Sequence, residues 1–273
     1  MINVSAARLV ALMAADEENN PFITQLGRTG TYSTDRGTEV LSASYLGTKS
    51  TWDMWTATPN GSNIAAAVVD LGTPRALDFA AIAAHNISDL GGTVELQYSS
   101  DGSSWTDCGA GTATPDDNEA VAWRFESVTA QYWRIRITNI TDDVSVGVWF
   151  TGSETIIPQR IYQGYTPPIV PTNVEMRSTV SEGGNLISSV AVNRGSSISA
   201  EFTHIDDGFV RGTQFTNFMR RYNGGVPVFF GWRPDKYGDL FYVQRGSASA
   251  IVPTNSGPAA LMSFTLAGRA YHE

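Results

Sequence analysis

Apolar and polar residues alternate with a period of two along most of this chain, the pattern of strands that bury one face. Between residues 94 and 107, Val94, Leu96 and Tyr98 share one side of a strand; Ser100, Asp101 and Gly102 then supply the residues a tight reversal tolerates, and a second strand resumes toward Asp107. Residues 131–138 follow the same rule: Tyr132 or Trp133, Ile135 and Ile137 alternate with Arg134 and Arg136. Further strands are predicted at 40–46, 67–72, 76–84, 120–128 and 144–150. Two stretches break the pattern. Ser5 caps a short helix in which Leu9, Leu12 and Met13 share a face, ending by Pro21, although a strand is also compatible there. In residues 212–223, Phe215, Phe218, Met219 and Tyr222 recur three and four apart, and Gly224 and Gly225 close that helix.

Between the strands, 27–37 reads as loop, and 52–63 as a long polar loop turning at Asn60 and Gly61. Prolines 158, 167, 168 and 171 mark a semi-rigid linker. Beyond it, strands are predicted at 174–180, 186–192, 197–203, 227–232, 240–244 and 260–267. The first three are separated by turns at Glu182-Gly183-Gly184 and Asn193-Arg194-Gly195. The expected organisation is an N-terminal arm or short helix over 1–37, a β-sandwich over 38–155, a Pro-rich linker over 156–172, and a C-terminal β domain over 173–273 with its helix near 212–223. The class is all-β, or β-dominated.

Composition supports two cores. The chain has 273 residues, enough for about two domains, and is 42% hydrophobic but only 16% charged, unlike a disordered chain. A net charge of −9 argues against general nucleic-acid or anionic-membrane binding, which need a basic footprint. One cysteine, Cys108, permits neither an intrachain disulfide nor a cysteine zinc cage. Residues 9–15 faintly imitate a signal peptide but run directly into Asp16, Glu17 and Glu18, and are read as retained. No apolar stretch reaches the length of a bilayer span.

Candidate chemistry is sparse. His85, His204 and His272 are scattered, and no nucleophile elbow accompanies them, so no catalytic residue and no enzyme activity is expected. His204, Asp206 and Asp207 form the one close set with metal-ligand chemistry, and a plain surface turn at Asp206-Asp207-Gly208 explains them without a metal and is preferred. Asp116-Asp117-Asn118 and Asp142-Asp143 offer oxygens to calcium but not a full shell, so the cofactor expectation is none, with calcium the one candidate. Trp52, Trp55 and Asn60 fit a glycan-binding loop of aromatic platforms beside a polar group; the alternative, which is the preferred one, is that both tryptophans pack as core or interface anchors. Trp105, Trp123, Trp133 and Trp149 lie in or beside strands and read as core. Residues 211–245 hold six cations against two carboxylates, about +4 where the remainder is about −13. Opposite signs on one molecule suit head-to-tail assembly, with Arg211, Arg220, Arg221 and Arg233 as the candidate interface.

The segments QYSSDGSSWTD and QYWRIRIT, with the upstream AVVDLG, resemble the discoidin or coagulation-factor type C branch of the galactose-binding-like β-sandwiches over roughly residues 45–153. The resemblance implies a discoidin-like jelly-roll whose ligands are met by loops at one end, with calcium bound in some members. In the second half, VPVFFGWRPDKYGDLFYVQRG and the closing LMSFTLAGRAYHE are similar in layout to tail-tip and distal tail proteins of long-tailed bacteriophages. That likeness implies a virion tail component, assembled in the host cytoplasm. It would form a ring-shaped homo-oligomer joining the tail tube and tail hub to adhesion proteins, with cell-surface glycan as a further partner and no nucleic acid or membrane insertion. The second functional expectation is a carbohydrate-binding protein or accessory module of a bacterial glycan-active enzyme.

Overall fold

The computed structural model describes residues 1–25, 30–161, 164–169, 175–193, 195–255 and 260–271. The chain divides into two units, one formed by residues 1–160 with 228–240, the other by 161–227 with 241–273. The expected linker over 156–172 therefore starts inside the first unit, where Ile157 is fully buried and donates its N–H to the Pro21 carbonyl. The expected strand at 227–232 also belongs there, because Val228–Gly231 pairs with residues 22–23.

In the first unit, β1 (Ile2–Val4) precedes α1 (Ala6–Ala14), and β2 (Phe22–Gln25), β3 (Thr31–Arg36) and β4 (Thr38–Leu41) follow. A 3₁₀ turn at Ala43–Gly47 leads to β5 (Trp55–Thr58), β6 (Ile64–His85), β7 (Thr93–Ser99), β8 (Thr106–Asp107), β9 (Val121–Thr138) and β10 (Val144–Ile156). Among the described residues of 1–37 the expected short helix is α1, but the flanking segments are not a free arm: β1 pairs in parallel with β9, and β3, within the stretch expected to be loop, pairs with β6. Ser5 does cap α1, its Oγ accepting from Arg8 N at 3.2 Å, but Met13 points to solvent and Leu12 alone of the expected face is fully buried. Nine residues allow barely one buried stripe, and docking of the helix, which periodicity does not report, selects which residue fills it.

Two long bent strands organise the unit. Each was expected as a pair of separate strands, 67–72 with 76–84 and 120–128 with 131–138. The first half of β6 pairs with β3 and with the end of β9, while its second half pairs with β10 and with the start of β9. Register shifts between Asp70 and Arg75 and between Leu77 and Phe79 bend the strand, so that it passes from one layer to the other. The core between the layers holds Trp55, Trp123, Phe125, Trp133, Ile135 and Ile137. Among the tryptophans expected inside, Trp123, Trp133 and Trp149 are buried, whereas Trp105 is half-buried with the Arg134 guanidinium 4.3 Å above its ring.

The 94–107 hairpin closes as its sequence suggests. Asp101 Oδ1 accepts from Ser103 N and Ser104 N, both at 2.8 Å, and Gly102 takes φ +71°. These donors hold the Asp101 carboxyl well below the usual range.

In the second unit, β11 (Glu175–Val180) and β12 (Leu186–Asn193) form a two-stranded hairpin of their own. The strand β13 (Ser196–Asp206) pairs with the closing strand Leu261–Ala270, and α2 (Asp207–Arg211) and α3 (Thr213–Asn223) follow β13. The predicted helix is α3, with Phe215, Phe218 and Tyr222 buried. The Tyr222 hydroxyl donates to the Ala267 carbonyl at 2.8 Å. The expected turn at Asn193-Arg194-Gly195 and His272 fall wholly or partly outside the described residues.

Candidate functional site

At one end of the first unit the β5–β6 loop (59–63), the β6–β7 loop (86–92) and the β9–β10 loop (139–143) are tied to one another. Asn86 is the junction: its Oδ1 accepts from Ser145 N at 2.8 Å, and its Nδ2 donates to the Asp143 carbonyl at 3.0 Å. The Thr58 hydroxyl donates to Asp143 Oδ1 at 2.6 Å, and Ile140 N reaches the Asn63 carbonyl. A fourth segment is pinned alongside, since Asn118 Oδ1 accepts from Ser88 N and its Nδ2 donates to Asp89 Oδ2 at 2.8 Å.

His85 sits beneath these loops, 1% exposed. Its Nε2 lies 2.9 Å from the Glu119 carbonyl, and Ile87 N donates toward Nδ1 at 3.4 Å, which assigns the neutral tautomer protonated on Nε2. Burial pushes its pKa down to about 4. With both ring nitrogens engaged by main-chain groups, His85 orders the loop base and has no free nitrogen to act as a catalytic base.

The 48–54 segment flanks this end through a close approach at Gly147, where a Cβ would lie 3.3 Å from the Ser50 carbonyl oxygen, 3.4 Å from Thr51 Cα and 3.1 Å from Ala84 Cβ. A strand glycine commonly marks such an approach, and it was the signal available in the sequence. The segment braces itself: the Ser50 hydroxyl accepts from Trp52 N and Asp53 N, both at 3.2 Å, and Thr48 Oγ1 accepts from Ser50 N at 3.3 Å.

The three residues expected to form one glycan-binding loop are divided by the fold. Trp52 is 88% exposed. Trp55 is fully buried at the start of β5, its indole Nε1 donating to Thr34 Oγ1 at 2.9 Å, so of the two alternatives it takes the inward one. β5 interrupts the expected loop because Val144 and Val146 give 55–57 a strand partner, a long-range pairing the local sequence does not show. Asn60 uses its side-chain oxygen within its own turn, accepting from Ser62 N and Ile64 N. Of the residues that order the end of the sandwich, Asp143 enters the sequence reading only as a calcium candidate, and Asn86 and Gly147 carry no role in it.

The acidic candidates are likewise committed locally. Asp117 Oδ1 accepts from Glu119 N, Asp206 caps α2 by accepting from Phe209 N, and Asp207 pairs with Arg211 at 2.6 Å. Among the described residues no group of three His, Cys, Asp or Glu side chains is placed to hold a metal ion, and no helix is long and apolar enough to cross a membrane. The four arginines expected at one interface belong to different units: Arg211, Arg220 and Arg221 to the second, Arg233 to the first, where it lies 5.3 Å from the Trp232 ring. Cys108 is buried, and burial pushes its thiol up to about 12, which leaves it inert at neutral pH.

A jelly-roll with bent long strands and cross-linked loops at one end defines a discoidin-like β-sandwich, a galactose-binding-like scaffold. Residues 29–150 match the family model described as F5/8 type C domain. Solved structures with a similar fold include CpGH89CBM32-5 from Clostridium perfringens, in complex with GalNAc-β-1,3-galactose (11% identity, TM-score 0.39, covering 45% of this chain and 94% of that one). A second is chitosan-binding module 1 of a chitosanase/glucanase from Paenibacillus sp. IK-5 (20% identity, TM-score 0.39, 47% of this chain and 98% of that one). A third, the Ruminococcus gnavus GH29 fucosidase, is matched over 46% of this chain but only 25% of its own length, at 13% identity and TM-score 0.39. A comparison with curated protein sequences finds no match.

Proposed function

We propose that the sandwich is a carbohydrate-binding module, non-catalytic, in which a sugar ring stacks on Trp52. The observation that carries this reading is an indole left 88% exposed on a loop that is otherwise fixed by its own hydrogen bonds and by the Gly147 approach. A large aromatic held out in water at a preordered position loses little entropy on binding and offers the apolar C–H face of a hexose a matching surface. The exposed Asp53 carboxylate beside it supplies an acceptor for hydroxyls. The match to F5/8 type C domains supports binding over catalysis, and the engaged state of His85 agrees with it. The tail-tip reading, with its ring and virion partners, rests on the layout of the C-terminal half combined with the discoidin-like motifs and the single cysteine, with no site behind it, so glycan binding is the conclusion preferred.

The test is a glycan array followed by calorimetry on the best ligand. Trp52→Ala removes about 2 kcal/mol of stacking and area burial, roughly a 30-fold loss of affinity. Gly147→Leu drives a side chain against Ser50, Thr51 and Ala84 and weakens binding by displacing the loop that carries Trp52, with the indole itself unchanged. Absence of glycan binding by the unaltered protein, or binding indifferent to Trp52→Ala, refutes the assignment.

A further inference from the structure

In the second unit the β11–β12 hairpin is exposed along both strands up to Val190. Its turn is nonetheless preformed: the Ser181 hydroxyl accepts from Asn185 N at 3.1 Å, Ser181 N donates to the Asn185 carbonyl at 2.8 Å, and Gly184 takes φ +82°. The hairpin has two dissimilar faces. Cross-strand partners share a face, so the register Ser178↔Ser189 and Val180↔Leu186 places Met176, Ser178, Val180, Leu186 and Ser189 together. The register shift between Thr179 and Val180 skips Ile187, and this bulge adds Ile187 to the same side as Leu186. Arg177, Thr179, Ser188 and Val190 occupy the other face, where Glu175 lies 3.9 Å from Arg177. Four large apolar side chains, Met176, Val180, Leu186 and Ile187, are each more than half exposed on one uncharged face.

We propose that this face is a homodimerisation surface, two copies of the chain mating their hairpins apolar face to apolar face as a four-stranded, two-layer sandwich. A lone two-stranded sheet is marginal in water and needs a second layer, which an identical hairpin supplies. Two copies of a chain with net charge −9 repel, and at this face they meet without bringing charged groups together, because Glu175 and Arg177 point away from it. The area also favours a second copy. Four such side chains present roughly 400 Å² of apolar surface, and face-to-face mating with the flanking serines buries a total of about 1,000 Å², the lower end of specific interfaces. That area predicts a reversible dimer of micromolar affinity rather than an obligate one. The proposal is independent of the glycan reading, since it concerns the other unit and needs no ligand.

The test is sedimentation velocity on the full chain from low to several hundred micromolar. The unaltered protein shifts from monomer to dimer across that range, Ile187→Glu weakens association at least tenfold, and Val190→Glu, on the opposite face of the same strand, leaves it within twofold. Independently, Ser178→Cys forms a disulfide-linked dimer under mild oxidation and Thr179→Cys does not; Cys108 is buried, so the introduced thiol is the one that reacts. A protein monomeric throughout, equal losses from Ile187→Glu and Val190→Glu, or equal cross-linking at 178 and 179 overturns the assignment, whether or not the sandwich binds a glycan.

Discussion

Two titrating groups in the first unit, the buried His85 and the half-buried Asp78, oppose one another, and removing either exposes the other. His85 has its pKa pushed from 6.5 down to about 4, by burial first of all. Above pH 6.5 it is neutral in the folded and unfolded chains and stability is unaffected. As pH falls through that window the unfolded chain takes up the proton first, so stability is lost, by about 3 kcal/mol at the lower limit. Asp78 moves the other way: burial, then the neighbouring Glu154 carboxylate, raises it from 3.8 to about 6. Its folded form holds a proton the unfolded chain has released, so its contribution is present at low pH and is lost as pH rises toward 6, again by about 3 kcal/mol. From these two groups the protein is nearly level between about pH 4 and 6. In His85→Gln, which keeps an amide donor for the Glu119 carbonyl, the Asp78 slope remains and stability relative to the unaltered protein rises by about 3 kcal/mol as pH falls through the window. Asp78→Asn does the reverse. Urea unfolding followed by tryptophan fluorescence is the assay, and it reports on the first unit because all seven tryptophans lie there. If the differences between each variant and the unaltered protein are independent of pH, the opposed-titration argument is wrong.

The two tryptophans of the candidate loop should separate in a stability measurement: Trp55→Ala costs about 3–5 kcal/mol through the cavity it leaves, while Trp52→Ala changes stability by less than about 0.5 kcal/mol, both read from the same urea midpoints. Arg124 and Glu154 are each 1% exposed and joined by two hydrogen bonds of 2.7 and 3.1 Å, so Glu154→Ala leaves a buried guanidinium without its carboxylate and costs about 3–5 kcal/mol. The double change Arg124→Met with Glu154→Leu recovers most of that loss, which thermal unfolding of the four members of the cycle would show.

Local chemistry in the sequence was enough to identify the hairpin at Asp101 and Gly102, the cap at Ser5, and the helix whose Phe215, Phe218 and Tyr222 face inward, because each depends on residues a few positions apart. It also marked a discoidin-like sandwich over roughly residues 45–153, where the family model matches 29–150, since the strand period and the AVVDLG and QYSSDGSSW segments are local patterns too. What a residue does at the site depended on distant partners. Trp52 and Trp55 read alike in the sequence, and the pairing of Trp55 with Val146 buries one while the Gly147 approach holds out the other. Loop ties through Asn86 and Asp143 join residues 57 positions apart, and the hairpin of β11 and β12 acquires an apolar face only through a register in which one bulge aligns Leu186 and Ile187. Sequence by itself determined strands, turns and the discoidin-like class of the sandwich; which surfaces remain open to a ligand or to a second copy was decided by long-range register and packing, for which a short window of sequence holds no record.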